Sequence, residues 1–151
     1  MKSLKDTILS IMEQYKIHHY VDAIIVSPDD ELLLLQRAGY VKPFGGKWGF
    51  VGGNIDDNDK SSKDALIREI KEETGINLSF IEKHSMESFG MEQHDDGSDT
   101  EYFIITLESK PEIKISREHA RYKWFNKESI KEKIDKCVPD VFYYIQRYYD
   151  R

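Results

Sequence analysis

A chain of 151 residues with 39% hydrophobic and 33% charged side chains can bury a core and is too apolar for disorder. Its net charge of −6 argues against long nucleic acid as the main partner, because a phosphate backbone selects a basic surface. A small phosphorylated ligand stays compatible, since a bound divalent cation inverts the local field. The longest apolar runs, AIIV and LLLL, are far too short to cross a bilayer, so no membrane partner is expected. The lone cysteine, Cys137, offers neither an intramolecular disulfide nor a zinc cluster. The first residues mix charge and apolar side chains unlike a signal or transit peptide, and a cytoplasmic location is the expectation.

In chain order, Leu4, Ile8, Ile11 and Met12 recur at helical spacing and predict a helix over 4–15. The run HHYVDAIIVS reads as a strand, PDDE as a turn and LLLLQR as the antiparallel partner. AGYVKPFGGKWGFVGG predicts a long loop, a short strand at 48–51 and a second turn. Ser61 or Ser62 can cap the next helix, with Ser61 and Asp64 resembling a capping box, and Gly75 marks its end. LSFIEKHSMESFGME and TEYFIITLES read as strands around an Asp-Gly turn, and RYKWF as a last short strand. KESIKEKID and VPDVFYYIQRYYD are helical. A single domain over residues 1–151 is expected, of α+β class: an α/β/α sandwich with a mixed central sheet.

One feature of the middle helix is electrostatically costly. Glu69, Glu72 and Glu73 lie at i, i+3 and i+4, within an arc of about 100°. Like charges at this spacing repel. Arg68 can compensate Glu72 from one turn away, which leaves the cluster partly unbalanced. Oxygen-only donors gathered in this way suit Mg²⁺ or Mn²⁺ better than zinc. A solvated acidic face is the ordinary alternative for such a triplet considered alone.

The surroundings narrow the choice. Gly52-Gly53 precedes the helix, and Arg68-Glu69-Ile70-Lys71-Glu72-Glu73-Thr74-Gly75-Ile76 resembles the second half of the Nudix box, G-x5-E-x7-R-E-U-x-E-E-x-G-U, where U is aliphatic. GKWGFVGG is similar to the stretch that precedes the box in that family, and LLLLQR and REHARYKWFNKESI resemble its flanking strand and late loop. The resemblance covers residues 20–132. Gly53 to Arg68 is one residue longer than the family spacing, and the first glutamate of the box is missing. Lys60 or Asp59 takes its place, depending on the direction of counting, and Val51 stands where a proline is usual.

The resemblance implies a divalent-metal-dependent hydrolase that cleaves the pyrophosphate of a nucleoside diphosphate linked to another group. It implies Glu69, Glu72 and Glu73 as metal ligands, with the carbonyl of Gly53 beside them. Glu73 is also a candidate catalytic residue, and Arg68 would orient a box glutamate. Glu118, in the late loop, is the candidate base or further ligand, with His119 in reserve. Arg37 and Trp48 are candidate substrate-binding residues, although charge balance and core packing are the competing roles. Phe44 and Tyr40 are further candidates for stacking on a ring.

KPFGGKWGFVGGNID is similar to ADP-ribose pyrophosphatases, which puts ADP-ribose, FAD and dinucleoside polyphosphates first among substrates. Nucleoside triphosphates and GDP-sugars follow, and a nucleotide-sensing domain without catalysis is the non-enzyme alternative. The expected partner is a small nucleotide, and the resemblance is compatible with a homodimer.

Overall fold

The computed structural model describes residues 1–14, 16–80 and 84–151. Its centre is a mixed sheet of seven strands: β1 (His19–Val26), β2 (Leu32–Arg37), β3 (Trp48–Gly49), β4 (Val51–Asn54), β5 (His84–Gln93), β6 (Asp99–Leu107) and β7 (His119–Phe125). The main path runs β3-β2-β1-β6-β5, with β4 paired to β1 and β7 to β2. β1 and β6 are parallel, from His19↔Asp99 to Val26↔Thr106, and the other pairs are antiparallel.

Period-two alternation explains why the apolar runs carry few polar breaks. Ile24, Val26, Leu32 and Leu34 face one way, against α3 (Lys127–Lys131) and α4 (Val141–Tyr149), with Tyr102, Phe125 and Tyr144. Val21, Ala23, Ile25, Leu33 and Leu35 face the other way, against α2 (Ser62–Thr74) through Ala65, Leu66 and Ile70. A strand covered on both sides must be apolar at every position, and that is what LLLL is for. Each fully buried Leu or Ile contributes about 2 kcal/mol of transfer free energy.

β1 is shared between two partners, and this places the glycine pair. Its first half, Tyr20 to Ala23, pairs with Asn54 to Val51, while its end touches β2 at Val26↔Leu32. The short strand expected over 48–51 is therefore split at Phe50 into β3 and β4, which pair with different strands.

α2 starts where Ser61, extended at φ −157°, accepts the Asp64 N–H on its hydroxyl at 3.1 Å. It stops where Gly75 takes φ 75°, a left-handed conformation that glycine adopts without strain. The other helices differ more from expectation. The first helix, α1 (Leu4–Gln14), forms, yet none of its residues is buried, and Leu4, Ile8, Leu9, Ile11 and Met12 are exposed. The stretch expected as a strand from Leu78 is a turn at 78–80, then strand from His84; its residues 81–83 lie outside the described ones. KESIKEKID yields only five α-helical residues and a 3₁₀ turn at Ile134–Lys136. No described helix is long and apolar enough to cross a membrane.

Candidate functional site

The site is built where β4, α2 and the loop before β7 meet. Gly52 lies so close to β1 that an added Cβ would fall 2.1 Å from the Val21 carbonyl oxygen and 2.2 Å from Asp22 Oδ1. At Gly53 an added Cβ would meet the Glu69 carboxyl group at 2.5 Å. The two glycines thus do different work: Gly52 lets strand approach strand, and Gly53 leaves room for a carboxylate.

Arg68 organises the near side. It clasps Asp59 with two hydrogen bonds, Nε to Oδ1 at 3.1 Å and Nη2 to Oδ2 at 2.8 Å. It also donates to Glu69 at 3.0 Å, to Glu72 at 3.3 Å and to the Asn54 carbonyl at 2.9 Å, with Asp56 at 3.4 Å. The Asp59 side chain is only 8% exposed, and its bond to Arg68 holds its carboxyl below the ordinary range. Lys60 is exposed. The acid beside Arg68 is therefore Asp59, and exposed Lys60 has no hydrogen bond or ion pair in this network.

Glu73 has a different environment. Its Oε1 accepts the Gly52 N–H at 3.0 Å, and its Oε2 lies 3.3 Å from His119 Nε2. No lysine or arginine pairs with it at ion-pair distance among the described residues. Burial lifts its carboxyl to about 9 against the pull of the Gly52 amide, and the charges of Glu69, Asp22 and Glu118 lift it further. Glu69 is intermediate: burial raises it and Arg68 opposes the rise. Asp22 is raised to about 7 by burial, with Arg37 pulling the other way.

The loop before β7 is tied to the end of α2 by backbone. Lys114 N–H donates to the Thr74 carbonyl at 2.7 Å, and Ser116 N–H to that of Glu73 at 3.3 Å. The Tyr40 hydroxyl donates to the Arg117 carbonyl, and Ala38 N–H to that of Glu118 at 2.8 Å, so the loop after β2 braces the same segment. The result is a cavity of about 270 Å³ lined by Glu69, Glu72, Glu73, Ser116, Arg117 and Glu118.

Four expected acids, Glu69, Glu72, Glu73 and Glu118, thus line one cavity, with Gly53 against Glu69. Arg68 lies behind them. Arg37 stands apart from this lining: it faces His119 across the β2–β7 bulge, and its Nε is buried with no hydrogen-bond partner. Trp48 requires a correction. It is 3% exposed, edge-on to Phe125 at 5.2 Å, with the Arg121 guanidinium 5.4 Å from its centre. Pairing of β3 with Gln36 turns the ring inward, and no face remains for a base. Tyr40 and Phe44 are exposed.

Sequence reasoning missed Asp22, Ser116 and Arg117. Asp22 had a signal, as the one acid in the apolar run VDAIIV. Ser116 and Arg117 had none, because only the clasp between loop and helix brings them in.

The residues present suit a divalent cation in donor chemistry: carboxylates crowd one cavity and lift one another's proton affinity. They are not yet converged, and among the described residues no three His, Cys, Asp or Glu stand at metal-holding distances. Glu72 leans to Arg68 with 57% of its side chain exposed, while Glu73 is held by Gly52 and His119.

Comparison with known proteins agrees with this layout. CTP pyrophosphohydrolase of Escherichia coli K12 is 36% identical over 73 residues, 46% of this chain and 53% of that protein. The chain thus spans about half the length of this curated relative. Among solved structures, the NUDIX domain of Shewanella oneidensis NrtR, complexed with ADP ribose, superposes with a TM-score of 0.74 over 99% of both chains at 20% identity. The bifunctional NMN adenylyltransferase/ADP ribose pyrophosphatase of Francisella tularensis, solved with AMP and a Mn ion, gives 0.70 over 97% of this chain and 46% of that one, also at 20% identity. At such identities the likeness establishes the fold. A family model for the NUDIX domain matches residues 16–145, a span that contains the glycine pair, the acidic helix and the clasped loop alike, and the chain therefore belongs to the Nudix family.

Proposed function

We propose that the chain is a Nudix hydrolase that cleaves the pyrophosphate bond of a nucleoside diphosphate linked to another moiety, of the ADP-ribose, FAD or dinucleoside polyphosphate type. The observation that carries this reading is the cavity in which Glu69, Glu72 and Glu73 face Arg117 and Glu118. Support for the substrate class comes from the Shewanella domain solved with ADP ribose and from the Francisella pyrophosphatase.

Glu69, Glu72 and Glu73, with the Gly53 carbonyl, would hold Mg²⁺ or Mn²⁺. Bound there, the cation neutralises diphosphate charge and acidifies water. The chain's own residues supply the rest. Arg68 keeps Glu69 against Gly53, so that the carboxylate does not swing out to solvent. Arg117 offers the cavity a cation for the anionic diphosphate. Glu118 lines the same cavity and is exposed, so it can take the proton from a water that attacks phosphorus. The new P–O bond forms as the anhydride P–O bond breaks, and from ADP-ribose or FAD the products are two phosphomonoesters.

The relative from Escherichia coli favours a second reading, hydrolysis of a nucleoside triphosphate to the monophosphate and pyrophosphate. Incubation with Mg²⁺ and ADP-ribose, FAD, Ap3A, GDP-mannose, CTP and dNTPs, with chromatography of products, separates them. AMP and ribose 5-phosphate from ADP-ribose, lost in Glu73→Gln, is the expected result. CMP and pyrophosphate from CTP alone would install the second reading. Saturable ADP-ribose binding with no turnover of any substrate would make the domain a nucleotide sensor.

A further inference from the structure

His119 begins β7 at the bulge opposite Arg37, and it is among the few buried polar residues of the chain. Its side chain is 5% exposed, and both ring nitrogens have neighbours: Nε2 lies 3.3 Å from Glu73 Oε2, and Nδ1 lies 3.3 Å from the Ser116 hydroxyl. A neutral ring suits both contacts: Nδ1 can accept the serine proton, while Nε2 stands beside the carboxylate at 3.3 Å, in contact rather than in an aligned hydrogen bond. A ring so engaged has no free nitrogen to offer a water, which argues against the reserve role of base.

The same segment grips Glu73 twice. Ser116 N–H donates to the Glu73 main-chain carbonyl at 3.3 Å, and His119 N–H donates to the Ser116 carbonyl at 3.2 Å, closing a turn that brings the ring against the Glu73 side chain. On the far side, Gly52 N–H holds Oε1 at 3.0 Å. A glutamate carboxyl otherwise rotates broadly about its last torsion. Here one oxygen is tied to β4 and the other meets the imidazole, which fixes the carboxylate plane at the cavity wall.

We propose that His119 is a positioning residue, which through Nε2 sets the Glu73 carboxylate in the orientation that receives the divalent cation, and that Ser116 sets the His119 ring. This rests on the hydrolase reading above and adds a residue to it. The role differs from that of Arg68, which holds Glu69 from the opposite side of the helix face. Groups that hydrogen-bond a ligating carboxylate typically change metal affinity 10- to 100-fold when removed.

The test is Mn²⁺ binding to the full chain, followed as loss of the free-ion EPR signal, with near-ultraviolet circular dichroism to confirm folding. His119→Ala is expected to weaken binding about 10-fold. His119→Gln, whose amide nitrogen stands in for Nε2, is expected to restore most of it. His119→Asn, whose amide stands in for Nδ1 and keeps only the Ser116 contact, is not. In a Glu73→Gln background the His119→Ala effect is expected to vanish, because the residue acts through Glu73. Binding by all three His119 variants within twofold of the parent would overturn the assignment, as would an undiminished His119→Ala effect in the Glu73→Gln background. A parent chain that binds no Mn²⁺ would overturn the hydrolase reading itself, which distinguishes the two failures.

Discussion

Two carboxylates on the same side of the molecule, Asp59 and Glu73, are treated in opposite ways. Asp59 has a cation clasping both oxygens and a carboxyl held below its ordinary range. Glu73 has a backbone amide, a neutral ring contact and three repelling acids, and its carboxyl is pushed to about 9. One corner is electrostatically complete, whereas in the other burial and neighbouring acids disfavour the charged carboxylate and no lysine or arginine among the described residues pairs with it. An acid raised in this way at a cavity wall is what the proposed cation site requires, since a bound cation would favour its charged form. Arg68 and Asp59 supply the frame, and Glu73 with Glu69 supplies the demand.

The largest expected effect lies in the unbalanced corner. Glu73→Gln keeps the shape and the Gly52 hydrogen bond but removes the charge. Turnover of the best substrate is expected to fall on the order of 10³-fold, since fixed charge at the reacting group carries much of the barrier reduction. Near-parental turnover in steady-state assays would remove the contrast between the corners altogether.

The glycine pair sharpens the comparison by separating folding from chemistry. Gly52→Ala sets a methyl against the Val21 carbonyl oxygen, which is backbone and cannot yield, so a stability loss of about 3 kcal/mol or more is expected. The nearest atoms to an added Cβ at Gly53 belong to the Glu69 carboxyl group, the end of a flexible side chain that can move. Gly53→Ala is expected to fold with a loss nearer ~1 kcal/mol and yet to lose activity roughly 100-fold through the displaced carboxylate. Urea unfolding beside initial rates reads both, and equal stability losses would refute the division of labour.

Much of this was legible in the sequence for a local reason. Arg68 to Ile76 carries its pattern within two helical turns, and Ser61 and Gly75 bound it with caps that need only neighbouring residues. The order of elements likewise pointed to an α/β/α sandwich with a mixed sheet, and the sheet is indeed covered on both faces. What escaped depends on distant chain. Trp48 follows a loop rich in glycine and aromatics, where substrate stacking and core packing both stayed open, and its pairing with Gln36 turns it inward. The one-residue insertion left Asp59 and Lys60 equivalent by counting, until the Arg68 fork chose between them. Ser116 and Arg117 enter through hydrogen bonds from a loop to the far end of a helix.

Asp22 extends the unbalanced corner into the sheet and makes a pH prediction. Its folded carboxyl lies near 7, against an ordinary 3.8, so the fold binds its proton more tightly than the unfolded chain does. The stability this provides is complete below about pH 4 and is lost as pH rises to 7. Asp22→Asn escapes the loss. Relative to the parent it is expected to gain a few kcal/mol of stability between pH 4 and 7, since each tenfold change in proton affinity is worth about 1.4 kcal/mol, and to gain nothing further above that. Parallel stability curves for the two proteins across this range would show that Asp22 is better compensated by Arg37 than its burial implies.

The balanced corner yields the smallest effect and the cleanest cycle. Arg68→Ala and Asp59→Ala each remove one half of a charged, bidentate pair, and each is expected to cost roughly 2 kcal/mol in urea unfolding. Because the pair is shared, the double variant is expected to cost less than the sum of the singles and little more than Arg68→Ala, which also gives up the contacts to Glu69, Glu72 and Asn54. Arg68→Lys should recover only part, since an ammonium cannot match both Asp59 oxygens while reaching Glu69. The two singles should also differ in catalysis. Asp59→Ala leaves Arg68 free to hold Glu69 and Glu72 and should retain most activity, whereas Arg68→Ala releases Glu69 and should lose about tenfold. Equal catalytic losses would mean that Asp59 reaches the reaction itself, and that the two corners form one site.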